Sequence, residues 1–150
     1  LHDQMLDPGA DLILETLHAI ENYLAESIPQ SATDSIKEAP KLTKLNTRVN
    51  FNATGIEITN LVNGLNPYPS AYCLLRHIPT QRIMNFKLFK GVFIAEEHPA
   101  VGLKSTKDGI LIPCKDGYFC IQLLQAEGKR SMNHKEFLAG NDITQFEVCE

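Results

Sequence analysis

A chain of 150 residues, 43% apolar and 21% charged, has ordinary globular composition, enough for one cored domain and an appendage. No apolar run approaches the roughly 20 residues of a membrane-spanning helix, and the first residues lack a basic stretch followed by an apolar core, so neither a bilayer-spanning helix nor secretion is expected. The net charge of -4 hides an asymmetry: residues 1–40 carry eight acids against Lys37 alone, and residues 41–150 carry thirteen bases and ten acids, a mild surplus that permits a nucleic-acid partner without demanding one.

We expect a soluble, cytoplasmic protein and, from a start at Leu1 instead of a methionine, a piece of something longer. Asp7-Pro8 ahead of a periodic run predicts a helix start, with a capping carboxylate and then proline where its missing donor costs nothing. Ala10, Ile13, Leu17, Ile20 and Leu24 line one face to about Ser27, and Asp11, Glu15, Glu21 and Glu26 line the other. Nothing else in residues 1–40 covers that stripe, so it is expected to pack on a missing domain or to self-associate. Ile28 to Pro40 is polar and aperiodic, a linker. The expected division is 1–28 helix, 29–40 linker and 41–150 domain.

Phe51-Asn52 precedes a second helical pattern, with Asn52 as cap and Phe51 placed to staple onto Ile56. Ile58, Leu61, Val62 and Leu65 share its face, and it is expected to end where Gly64 takes a left-handed conformation ahead of Pro67 and Pro69. The corner Pro67-Tyr68-Pro69 is read as a rigid helix-to-sheet joint with Tyr68 buried. Strands follow: Ala71 to Leu75, then Gln81 to Lys90 with Ile83, Phe86 and Leu88 as core, then Gly91 to Ile94 after a glycine bulge.

Asp116-Gly117 between two apolar runs is the strongest hairpin signal in the chain. With Lys115 opposite Tyr118, the pairs Cys114 and Phe119, Ile112 and Ile121, and Ile110 and Leu123 point to one apolar side. That register places Cys114 and Cys120 on opposite faces, which speaks against a disulfide, and no cysteine has metal-ligand spacing to a histidine. In the tail Asn133 and Glu136 form a capping box, Met132 staples onto Phe137, and Gly140 closes a short helix. The pattern predicts a mainly β fold with flanking helices, a small, partly open five-stranded barrel of the oligonucleotide-binding (OB) kind behind an amphipathic helix and a linker. No nucleophile elbow, Cys-His pair or Gly-rich phosphate loop is present, and His77 and His98 read as plain loop imidazoles.

Gly64-Leu65-Asn66-Pro67-Tyr68-Pro69-Ser70-Ala71 resembles the signature that opens the C-terminal domain of methionyl-tRNA formyltransferases. Other parts of that family's pattern occur in order: Gly9-Ala10-Asp11-Leu12-Ile13-Leu14-Glu15-Thr16-Leu17, like the last helix of its catalytic domain; Pro40-Lys41-Leu42-Thr43-Lys44; Arg48-Val49-Asn50-Phe51; and Gly128-Lys129-Arg130 with Met132, Phe137 and Gly140. Asn63 stands where the family often has arginine.

The resemblance implies a parent that moves a formyl group from 10-formyltetrahydrofolate to the methionyl amino group of initiator tRNA, with catalytic Asn, His and Asp upstream of Leu1. It thus implies an inactive portion with no cofactor or metal of its own that holds tRNA. Candidate phosphate contacts are Lys41, Lys44, Arg48, Arg76, Arg82, Lys87, Lys90, Lys129 and Arg130. Two alternatives stay open, the appended domain of another formyltransferase and a stand-alone nucleic-acid or protein interaction barrel.

Overall fold

The computed structural model describes residues 2–29, 38–97 and 99–149, so residues 30–37 of the expected linker and His98 lie outside the described residues. The chain divides into two compact units, Leu1–Ala39 and Pro40–Glu150. Among the described residues no helix is long and apolar enough to cross a membrane.

The first unit holds helix α1, His2–Glu21, which starts before Asp7 and carries Pro8 within it. Proline's fixed φ suits a helix, and it forfeits one hydrogen bond without ending the turn. The helix also stops short of Ser27. Tyr23 turns left-handed at φ 58, Tyr23 N–H reaches Ile20 O at 3.1 Å and Leu24 N–H reaches Ala19 O at 2.8 Å. This is a Schellman closure, and Leu24, which continues the apolar period, occupies the position just past it. Ile13, Leu17 and Ile20 remain exposed.

In the second unit the order is helix α2 (Gly55–Gly64), strands β1 (Ala71–His77), β2 (Arg82–Ala95), β3 (Lys104–Ser105), β4 (Ile110–Cys114), β5 (Gly117–Ala126) and β6 (Met132–Asn133). Helix α3 (His134–Leu138), a 3-10 turn (Ile143–Gln145) and β7 (Phe146–Val148) complete it. The strands form one antiparallel sheet in the order β3-β4-β5-β2-β1-β7, with β6 beside β5. Seven strands thus stand where five were expected; β3, β6 and β7 are two or three residues each. The sheet curls, bringing the 3-10 turn ahead of β7 against β3 at the far end of the path.

Curling follows from one irregularity. On β2 the buried positions are Phe86 and Leu88 before Lys90 and Gly91 after it, and on β5, where Tyr118 and Cys120 are buried on the other side, the residues that join the core are Phe119 and Ile121 and then Leu124 and Ala126. The β2–β5 register shifts between Leu88 and Gly91, so both strands exchange faces at the same level and the sheet bends there. Gly91 allows it, because a Cβ there would overlap the Phe119 ring. Phe86, Leu88, Ile110, Ile112, Phe119, Ile121, Ile143 and Phe146 fill the concave side, closed by Ile58 and Val62 of α2 and Phe137 of α3. Ile83, expected in this core, is half exposed because it pairs with Arg76 on the outer face.

Helix α2 is capped by Thr54, not Asn52, in a reciprocal box with Glu57, and Ile56 is too exposed for the Phe51 staple. Gly64 is not left-handed; Leu65 ends the helix in a right-handed conformation and Ser70 N–H returns to Leu65 O at 2.9 Å. Both X-Pro bonds of the corner are cis. Tyr68 is not buried: Leu65 and Ser70 take the buried positions at the two ends of the corner, and the ring stands 87% exposed at its tip.

The β4–β5 hairpin turns one residue earlier than expected, at Lys115-Asp116, with Cys114 opposite Gly117 and Ile112 opposite Phe119. The turn is set by its docking, since Lys115 N–H donates to Ala53 O at 3.2 Å and the Asp116 carboxylate accepts from Gly55 N–H at 2.7 Å. A two-residue shift keeps every side chain on its face, so Ile110, Ile112, Cys114, Phe119 and Ile121 still line one side, while Leu123 leaves it. All four cysteines are free, and burial pushes the Cys73 thiol up to about 12. The α3 box of Asn133 and Glu136 forms as expected, with Phe137 in the core cluster and Met132, partly buried, packed against it.

Candidate nucleic-acid interface

The convex face of the curled sheet is built by alternation. Ala71, Cys73 and Leu75 point inward, so Tyr72, Leu74 and Arg76 point outward. Lys87 lies between buried Phe86 and Leu88, and Gln125 between buried Leu124 and Ala126, so both also face outward. Register sets Tyr72, Lys87 and Gln125 in one row across β1, β2 and β5.

Loops extend the row at both ends. The Tyr72 hydroxyl donates to Lys44 O at 2.9 Å, and the turn carrying Lys41 and Lys44 is pinned by Asn46, whose side chain accepts from Thr43 N–H at 2.7 Å and donates to Lys41 O at 2.9 Å. At the other end Gln125 Nε2 donates to Lys129 O at 2.7 Å. Between Lys87, Asn85, Gln125 and Glu127 lies a shallow groove of about 250 Å³.

The other candidates are differently engaged. Arg48 is half-buried and donates from Nη2 to Cys149 O at 2.6 Å. Arg76 pairs with Glu147 at 2.9 Å and Arg130 with Glu136 at 2.7 Å. Glu136 is held below the ordinary carboxylate range by the Asn133 N–H and then by Arg130. Arg82 sits at the start of β2 opposite His77, and Lys90 at the register shift opposite Leu123; both are exposed. A larger groove of about 650 Å³, walled by Leu45, Phe51, Val101, Pro113 and Val148, has Arg48 as its one cation among the described residues.

The imidazoles hold structure. His77 Nδ1 lies 2.8 Å from Thr80 Oγ1 with its ring on Phe146, and His134 Nε2 lies 3.2 Å from Lys107 O. Sequence reading missed Tyr72 and Gln125, whose place between lysines is a product of cross-strand register. It also missed a plain signal: residues 39–95 contain seven bases and one acid, Glu57, and that carboxylate is committed to Thr54. The acids of the domain are otherwise gathered in residues 96–150.

The sequence model of the formyl transferase C-terminal domain matches residues 41–142. Similar curated proteins include the methionyl-tRNA formyltransferases of Flavobacterium johnsoniae, 34% identical over 93% of this chain and 44% of that one, and of Thermodesulfovibrio yellowstonii, 33% identical over 97% and 44%. That of Rickettsia conorii is 29% identical over 100% of this chain and 46% of its own length. The chain thus spans about half the length of the curated relatives it matches. Among solved structures, a multiply substituted variant of HypX from Aquifex aeolicus superposes with a TM-score of 0.55 at 18% identity, over 88% of this chain and 24% of that one. That likeness bears on the fold alone, a mainly β domain with a curled sheet and few helices.

Proposed function

The chain belongs to the formyl transferase C-terminal domain family, and from that premise we propose that it is the substrate-holding portion of a methionyl-tRNA formyltransferase. The parent enzyme transfers a formyl group from 10-formyltetrahydrofolate to the methionyl amino group of initiator tRNA in the cytoplasm. This portion carries no catalytic residue and is inactive alone. Residues 1–28 end the preceding catalytic domain, 29–40 link the two, and 41–150 form an OB-like barrel that grips the tRNA backbone. The apolar stripe of α1 packs on the rest of the parent, and in this chain alone it mediates self-association.

The observation that carries the reading is the outward row of Tyr72, Lys87 and Gln125, extended by the loops of Lys44 and Lys129; Tyr72, Lys87 and Lys44 belong to a stretch whose one acid is Glu57, and Glu127 is the acid that borders the row beside Gln125. Acids would repel a polyanion from such a row, and free ammonium groups release its counterions. Lys41, Lys44, Lys87 and Lys129 are the principal contacts, with Arg82 and Lys90 flanking them. Arg48, Arg76 and Arg130 contribute less because each already serves a carbonyl or carboxylate.

The test is titration of the chain with initiator tRNA across a salt series. Affinity should fall steeply with salt, and Lys87→Ala and Lys129→Ala should each reduce the slope by about one. Binding indifferent to salt, or slopes unchanged in both variants, would remove the phosphate-holding role. Formyl transfer by the chain alone would remove the claim that the chemistry lies elsewhere.

A further inference from the structure

Tyr68 is the feature that the phosphate-holding surface does not explain. Among the described residues of the second unit it is the one large aromatic left fully outside, 87% exposed, while Phe51, Phe86, Tyr118, Phe119, Phe137 and Phe146 are buried. An aromatic of that size at a loop tip forgoes most of the stabilisation that burial supplies.

Its stem is rigid. Pro67 and Pro69 fix the backbone on both sides, Leu65 and Ser70 are 6% and 3% exposed, and Ser70 N–H closes the corner onto Leu65 O at 2.9 Å. Ser70 itself holds a left-handed backbone, φ 70, and its hydroxyl donates to Pro69 O. A ring presented this way loses little freedom on contact, since only its own two torsions remain to be fixed.

The electrostatic setting selects the partner. Tyr68 lies inside residues 58–95, which contain no Asp or Glu and four bases. The strand it feeds carries Tyr72 at its second position, and the Tyr72 hydroxyl holds the exposed Lys41–Lys44 turn. An exposed π face four residues before the tyrosine that holds the lysine turn, with no carboxylate near it in sequence, matches the stacking platforms that hold unpaired bases while cations follow the backbone.

We propose that Tyr68 is a base-stacking residue that binds an unpaired nucleobase of the RNA held by the lysine row. This rests on the tRNA-holding reading and adds to it a contact with a base where that reading has only contacts with phosphates. A π face is shared by all four bases, so the contact is tolerant of sequence but demands a base free of its helix.

The chain contains no tryptophan, so Tyr68→Trp supplies a single indole reporter at the site. Its emission should be quenched as initiator tRNA saturates the chain, and by a single-stranded oligonucleotide but not by a fully paired duplex of the same length. Tyr68→Ala should weaken tRNA binding by at least about five-fold and leave the salt slope and thermal melting unchanged, and Tyr68→Phe should bind like the parent chain. Equal affinity of Tyr68→Ala and the parent, or an indole unmoved at saturation, or equal quenching by duplex, overturns the stacking role while salt-sensitive binding leaves the lysine row standing. Absence of any tRNA binding by the unsubstituted chain overturns both.

Discussion

Asp116 shows how one side chain joins two elements that sequence alone keeps apart. Its carboxylate accepts from Gly55 N–H, the first residue of α2, so that helix start has a partner from a hairpin 61 positions away as well as its own Thr54 cap. Replacing Asp116 with alanine should cost about 1–2 kcal/mol in urea unfolding, the range of a lost N-terminal acceptor. Asp116→Asn, which retains an acceptor, should cost less than half of that. An alanine variant as stable as the parent would show that water serves that N–H equally well. The pair Asp116-Gly117 was legible as a hairpin, but its register was not, because Asp116 works in tertiary docking and Gly117 is required by the close passage of β2 as well as by its own positive φ. Tyr68 was misread for a similar reason: hydrophobicity predicts burial, and only the path of the chain places the neighbours Leu65 and Ser70 inside instead.

At the scale of elements, the two capping boxes couple stability to acidity. Glu57 is held below its ordinary range chiefly by the Thr54 hydroxyl, and Glu136 chiefly by the Asn133 N–H. Both bind a proton less readily folded than unfolded, so the stability they provide is fully present above the ordinary glutamate value of about 4.3 and is lost as pH falls through their lower folded values. The urea midpoint should therefore hold steady from neutral pH to that region and drop beneath it. Glu57→Gln with Glu136→Gln should flatten the drop, and an acid limb of undiminished steepness would assign it to other groups. The long elements, α2, β1, β2, β4 and β5, were legible because their apolar periods run for several residues. Strands β3, β6 and β7 are too short to display any period, and they exist because the curled sheet brings partners beside them. The cap of α2 was placed two residues early because Asn52 and Thr54 are both competent cap residues, and the glutamate three positions after Thr54 decided between them.

For the whole molecule, charge and apolar surface divide by unit. The acidic first unit carries an exposed stripe at Ile13, Leu17 and Ile20, with no second element among its described residues to cover it. Gel filtration of the chain should show a concentration-dependent oligomer that Ile13→Glu with Leu17→Glu returns to monomer, and a monomer at all concentrations in the parent chain would refute self-association. The nine candidate cations were all legible as residues, but their arrangement was not, since pairing of Arg76 and Arg130 with acids is decided by a neighbouring strand and by a helix cap.

The curled sheet has a consequence for behaviour in crowded solution. Its hydrogen-bonded path runs out at a two-residue ribbon on one side and a three-residue ribbon on the other. Margins that brief offer an incoming chain too few free amides and carbonyls to seed stacking. A domain that is rich in β structure thus keeps its two longest strands, β2 and β5, inside the sheet and away from its margins.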